Sequence, residues 1–173
     1  TDDLTIIENI GGQHETVSSA QKLYPSANGF HISSLTLRKR FNPAATVTKD
    51  RILSNEKKAD PRQLTEFAAV FTFGSIKSLS TANASSVTFF QTAGRQGVMS
   101  LTGEKYPVYH ALQQILSMPG YKVRHTVSSD PVNADAMLLT NGKSAQLILV
   151  NYTSAGQLIA FADKKYVLAP FEK

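Results

Sequence analysis

The sequence predicts an α/β segment followed by an all-β one, and three features carry that expectation. Up to residue 119, short runs of β-formers alternate with segments of helical period, and repeated strand–helix units imply a parallel sheet because parallel neighbours need a crossover. From Gly120 onward the helical period stops and five β-rich runs follow, with Asn141-Gly142 as a two-residue hairpin signal between two of them. Pro119-Gly120 sets the boundary, which gives 1–119 as the strand–helix segment and 120–173 as a small C-terminal β-domain.

In chain order, Leu4, Ile6, Ile7 and Ile10 make a short apolar helical face before Gly11-Gly12, and Glu15 to Leu23 reads as a second helical piece ended by Pro25. Phe30 to Leu37 (FHISSLTL) is rich in β-formers and bounded by Gly29 and Arg38, which predicts a strand. Lys39 to Asp60 shows no period. About 20 residues without structure is long where connections are commonly ~4–6, so this loop is functional or hides a short helix.

Asp60-Pro61-Arg62-Gln63 then has the form of a capping box, with Leu64, Phe67, Ala68, Phe71 and Leu79 as the inner face of a helix stopping near Thr81 to Asn83. Ser86 to Phe90 (SVTFF) reads as a strand buried on both faces, and Gln91 to Gly103 as a polar loop. Pro107 opens a last helix whose inner face is Val108, Leu112, Ile115 and Leu116. The β-runs beyond it, 121–127, 134–140, 143–151, 157–162 and 166–168, amount to a small sheet or half-sandwich. It is marginal alone and expected to lean its apolar face on the preceding segment.

Charge and composition narrow the function. The chain has no cysteine, which removes disulfide scaffolds, zinc fingers, iron–sulfur proteins and cysteine nucleophiles and leaves the redox compartment open. No stretch approaches the ~18 consecutive apolar residues of a membrane-spanning helix, so no membrane partner is expected. The net charge of +5 maps wholly onto residues 38–62, where eight basic residues face three acidic ones. A nucleic-acid surface would spread its cations and interleave aromatics, whereas Phe41 is the only aromatic here, so nucleic acid is not the expected partner. A solvated loop or a loop facing a small anion remains.

In α/β folds the loops after the strand C-termini carry the site. Here the first begins Arg38-Lys39-Arg40-Phe41-Asn42 and the second is Gln91-Thr92-Ala93-Gly94-Arg95-Gln96-Gly97. Arginines there can clamp carboxylate or phosphate oxygens, or they pair with Asp50, Glu56 or Asp60 and only hold the loop. Gln91 can orient a ligand but cannot exchange a proton near neutrality. Glu104 reads as a first-turn helix charge and His110 as a packed core residue, while His31 could face the sheet interior. His14 and His125 show no metal spacing, and no metal or cofactor is expected. No P-loop, Rossmann glycine pattern, Gly-x-Ser-x-Gly elbow or His-Glu-x-x-His occurs. Asn83-Ala84-Ser85 and Asn151-Tyr152-Thr153 match glycosylation acceptors in form.

Four segments in order, SLTLRKRFNP (34–43), DPRQ (60–63), SVTFFQTAG (86–94) and YPVYH (106–110), resemble the C-terminal part of D-apionate lactonase-like proteins. Those are (β/α)8-barrel relatives of glycoside hydrolases with a small C-terminal β-domain. The resemblance implies that residues 30–37 and 87–90 are the seventh and eighth barrel strands, so the chain is the C-terminal portion of a barrel plus a β-domain. It also implies a hydrolase-like parent acting on sugar acids, their lactones or glycosides, with Arg38, Arg40, Asn42, Gln91 and Arg95 binding substrate near the barrel mouth. Where the family tends to show Glu-Thr-Thr-Gly-Trp-Arg-Gly after the last strand, this chain has Gln91-Thr92-Ala93-Gly94-Arg95-Gln96-Gly97, and both the acid and the aromatic platform are replaced. No catalytic residue is therefore carried over, and a non-catalytic carbohydrate- or protein-binding module is the alternative. A chain opening on Thr1 with two of eight strands is expected to need the missing N-terminal part or to self-associate, and to be inactive alone.

Overall fold

The computed structural model describes residues 15, 17–23, 29–33, 35–37 and 59–173. The helical face expected at residues 4–10 and most of the long basic loop lie outside the described residues. Residues 17–23 belong to a helix (α1). Then come β1 (Phe30–Ile32), a 3-10 turn (Pro61–Leu64), α2 (Glu66–Thr81), β2 (Ala84–Val87), β3 (Gln91–Ala93), β4 (Gly97–Met99) and α3 (Pro107–Leu116). The C-terminal strands are β5 (Lys122–Arg124), β6 (Ala134–Thr140), β7 (Ala145–Asn151), β8 (Gln157–Phe161) and β9 (Lys164–Leu168).

β1 and β2 pair in parallel with α2 between them in sequence, so the expected strand–helix–strand unit is present. The regular strand is shorter than the eight-residue run of β-formers suggested. The ladder nevertheless continues past it, with the Thr88 amide donating to the Ile32 carbonyl at 2.8 Å and the Leu35 amide to the Thr88 carbonyl at 2.9 Å. A register shift at Phe30/His31 marks its start. Gly29 there has φ +103°, and an added Cβ would lie 1.8 Å from Ser85 Oγ, so both the backbone and the close approach of β2 require glycine.

Strand alternation divides the two faces of this pair. Phe30, Ile32 and Val87 pack on Val17 of α1 and Leu79 and Ala82 at the end of α2. The opposite face carries His31, Ser33, Ser86 and Thr88, all exposed. His31 Nδ1 and Ser86 Oγ are hydrogen-bonded at 2.7 Å.

The helix expected from Asp60 to about Thr81 is broken at Thr65, whose backbone is extended (φ −117°, ψ 172°). Asp60 does cap: its Oδ1 accepts from the Arg62 amide at 2.9 Å, and the same carboxylate takes Arg62 Nε and Nη2 at 3.0 and 2.9 Å. The reach-back half of a capping box is absent, because Gln63 is turned inward. Beyond the break α2 is not buried on one face only. Every residue from Phe67 to Ser75 is buried, while Leu64, expected inside, is exposed. The reason is that α2 is surrounded, with the β1–β2 side, α3 and the C-terminal sheet all packed on it. A helix apolar all round is a helix covered all round.

α3 begins at Pro107 and buries Val108 and Ala111. Ile115 packs on the core, Leu112 faces a cavity, and Leu116 is 78% exposed, so the inner face is rotated from the expected one. His110 is exposed, edge-on to Tyr109 with ring centres 5.5 Å apart, and is not a core residue.

β5, β6 and β7 form an antiparallel sheet, and β8–β9 is a separate hairpin among the described residues. The β6–β7 connection runs over four residues rather than two, since Thr140 pairs with Ala145. Asn141 Oδ1 accepts from the Lys143 and Ser144 amides at 3.0 and 2.9 Å, which closes the wider turn. Phe67, Val70, Phe73 and Ala111 from the helices, Met137, Leu139, Ile148 and Val150 from the sheet and Tyr152 just past β7 share one core cluster. Across this seam Lys77 Nζ pairs with Asp135 Oδ1 at 2.5 Å.

Burial, with Asp135 second, pushes the Tyr152 phenol well above its ordinary range. The native state therefore holds this proton after the unfolded chain has released its own. Stability from this group is intact below the unfolded value of about 10 and falls as pH rises beyond it. Urea midpoints should accordingly drop above about pH 10 in the wild type and drop less in Tyr152→Phe; equal slopes would contradict the assignment.

Candidate functional site

Because β1 and β2 are parallel, their C-terminal ends point the same way, and the segments that leave them start from one end of the sheet. Leu37, which precedes Arg38, and Phe90, which precedes Gln91, both pack against the main core cluster. The roots of the two predicted site loops are thus anchored on common ground. Arg38, Arg40 and Asn42 themselves lie outside the described residues. Gln91 and Arg95 are described, both are exposed, and both sit on the loop after β2.

That loop is more ordered than a polar connection. β3 and β4 pair in parallel across a turn, Gln91 opposite Gly97 and Ala93 opposite Met99. The Gln91 amide donates to the Gln96 carbonyl at 3.1 Å, the Gly97 amide to the Gly94 carbonyl at 2.9 Å, and the Gly94 amide to the Met99 carbonyl at 2.9 Å. The Gln91 and Gln96 side chains meet at 3.3 Å. The chain coils so tightly that a Cβ on Gly97 would lie 2.7–2.9 Å from three backbone atoms of Ala93. The Tyr106 amide, donating to the Val98 carbonyl at 3.0 Å, joins the far end of the loop to the start of α3.

Among the described residues Arg95 has no ion-pair partner, which leaves its guanidinium available to an anion. Asp60 is committed to Arg62, and Arg62 lies 4.3 Å from the centre of the Phe67 ring. That pair joins the end of the basic segment to α2, while Arg38 and Arg40, for which pairing with Asp50, Glu56 or Asp60 was the alternative, lie outside the described residues. Glu104 is not a first-turn charge: it precedes Tyr106, the N-cap of α3, and its amide donates to Ser100 Oγ at 3.0 Å.

A cavity of about 430 Å³ lies between β4 and α3, lined by Val98, Tyr109, Leu112, Gln113, Leu116 and Ser117. Neither Gln91 nor Arg95 lines it, and its apolar walls do not suit a sugar acid. The two acceptor-like tripeptides also separate. Asn83 is exposed at the turn before β2, whereas Asn151 is fully buried and takes part in four side-chain hydrogen bonds, so it is closed to modification.

Sequence reasoning missed one residue of this region. Gln63, 3% exposed, donates from Nε2 to the Gly97 carbonyl at 2.9 Å and so fixes the loop after β2 to the turn before α2. Its place in a capping-box pattern hid this longer reach.

No curated protein and no solved structure matches this chain. A family model described as the D-apionate lactonase TIM barrel domain matches residues 1–120, the span that holds β1, β2, the loops that follow them and α3. On that match the chain belongs to the D-apionate lactonase TIM barrel domain family.

Proposed function

We propose that this chain forms part of a hydrolase that opens lactones of sugar acids, with Arg38, Arg40, Asn42, Gln91 and Arg95 around the barrel mouth. The observation that carries the reading is an ordered loop after β2, within a lactonase family match, whose Arg95 has no ion-pair partner among the described residues. Lactone opening adds water to the ring carbonyl, passes through an oxyanion, releases the ring oxygen as an alcohol and leaves a carboxylate. A guanidinium can hydrogen-bond both the oxyanion and the carboxylate. Gln91 can orient the sugar; the general base belongs to another residue. Among the described residues β1 and β2 pair only with each other, and their face away from α2 is polar. We place that face inside a barrel completed by further strands of the protein.

The test is steady-state kinetics of the full protein on a panel of aldonolactones and aryl glycosides. Arg95→Ala is expected to raise KM for aldonolactones about tenfold, the loss of one charge-assisted contact. Unchanged kinetics in Arg38→Ala and Arg40→Ala would remove those two from the site. No turnover on any substrate, with sugar acids still bound, would favour the non-catalytic carbohydrate-binding module, for which Gln91 in place of an acid is suited.

A further inference from the structure

Gln63 is one residue beyond the basic segment 38–62, and its side chain ends on the loop that bears Gln91 and Arg95. It is a buried link between that loop and the described end of the basic segment. Its backbone is fixed from one side, since the Gln63 amide donates to the Asp60 carbonyl at 3.0 Å and Asp60 is bound to Arg62. The acceptor is fixed from the other, since Gly97 is buried, turned by its own bond to Gly94 and pressed against Ala93 with no room for a Cβ. A primary amide spans this gap between two constrained backbones and supplies the donor that the buried Gly97 carbonyl needs. Leaving that carbonyl unpaired would favour local opening of the loop over the closed form.

We propose that Gln63 is a positioning residue for substrate binding: its amide holds the loop carrying Gln91 and Arg95 in register with the end of the basic segment. This rests on the lactonase reading for the identity of the substrate, but not for the clamp itself. The role is separable from general stability because the bond joins an exposed loop to a turn and is not part of the α2–sheet core.

Two variants of the full protein test it, Gln63→Met, which keeps the length and removes the donor, and Gln63→Glu, which keeps the shape and replaces the donor by an ionisable group. In Gln63→Met, amide exchange in residues 91–99 should quicken about tenfold while α2 and β6–β7 exchange as in the wild type. KM for an aldonolactone should rise about tenfold with kcat within a factor of two, and the affinity for D-gluconate should fall in parallel. Gln63→Glu should show the same loss at pH 8, where a carboxylate faces the Gly97 carbonyl. It should recover at pH 5, where burial keeps the acid protonated and able to donate. Exchange in 91–99 within twofold of wild type, a uniform rise along the whole chain, or a Gln63→Glu defect independent of pH would overturn the proposal. A wild type that neither binds gluconate nor opens any lactone, with the local exchange pattern intact, would sink the lactonase reading and leave the clamp standing. An active wild type with no local exchange effect would do the reverse.

Discussion

Replacing Phe73 by alanine should cost about 3–5 kcal/mol and lower the unfolding midpoints of the helical segment and the C-terminal sheet together. Phe73 is 1% exposed and belongs to the cluster that Ala111 of α3, Met137 and Leu139 of β6, and Ile148 and Val150 of β7 complete. Deleting the ring removes its transfer free energy and leaves a cavity between helix and sheet that neither layer can close without moving the other. The loss is a large part of the roughly 5–15 kcal/mol that stabilises a domain. Because the cluster spans residue 119, both parts should report one transition. Far-UV circular dichroism, which follows the helices, and the fluorescence of a variant that keeps Tyr152, just past β7, as its sole tyrosine should coincide in urea. A C-terminal transition that keeps its wild-type midpoint while the helical signal shifts would show that the two segments fold independently.

Asn151→Asp should be nearly as damaging at neutral pH and should recover in acid. The Asn151 amide nitrogen donates to the carbonyls of Ala155 and Ala169 at 2.7 and 2.8 Å, and its oxygen accepts from the Thr153 amide and hydroxyl, both at 2.9 Å. One side chain thus ties the end of β7 to the connection before β8 and to the tail after β9. An aspartate would turn a buried carboxylate oxygen toward two carbonyl oxygens, at a cost of roughly 3–5 kcal/mol for an uncompensated buried charge. Such a carboxyl would hold its proton more tightly folded than unfolded. The penalty is therefore absent below the unfolded value of about 3.9 and grows as pH rises through the elevated folded value. Asn151→Ala, with no titrating group, should show a deficit that does not vary with pH. Parallel pH profiles for the two variants would contradict the network's role.

How much of this was legible depended on the reach of each interaction. Pro107 opening a helix, the parallel pair of strands flanking α2, and β6 at Ala134–Thr140 follow from local pattern, since backbone preference and alternation act within a few residues. The Asp60 cap was readable for the same reason. Gln63 was misread because the capping-box pattern describes a bond within four residues, whereas the bond formed crosses 34. Leu116 and His110, both expected inside, are both exposed because helical period gives an apolar stripe but not its rotation against a neighbour. Asn151-Tyr152-Thr153 fits a surface acceptor in sequence, and only burial shows it to be a staple.

By itself the sequence determined the order and type of most elements, the confinement of the surplus positive charge to residues 38–62, and the family resemblance carried by four short segments between residues 34 and 110. These are properties of neighbouring residues and need no knowledge of what lies across the core. The tertiary structure alone decided that α2 is buried all round, that residues on both sides of position 119 share one core, and that the loop of Gln91 and Arg95 is clamped by Gln63. Each depends on contacts between segments far apart in the chain, where hydrophobic burial and the need to pair every buried polar group select the partner, and local propensity has no part in that selection.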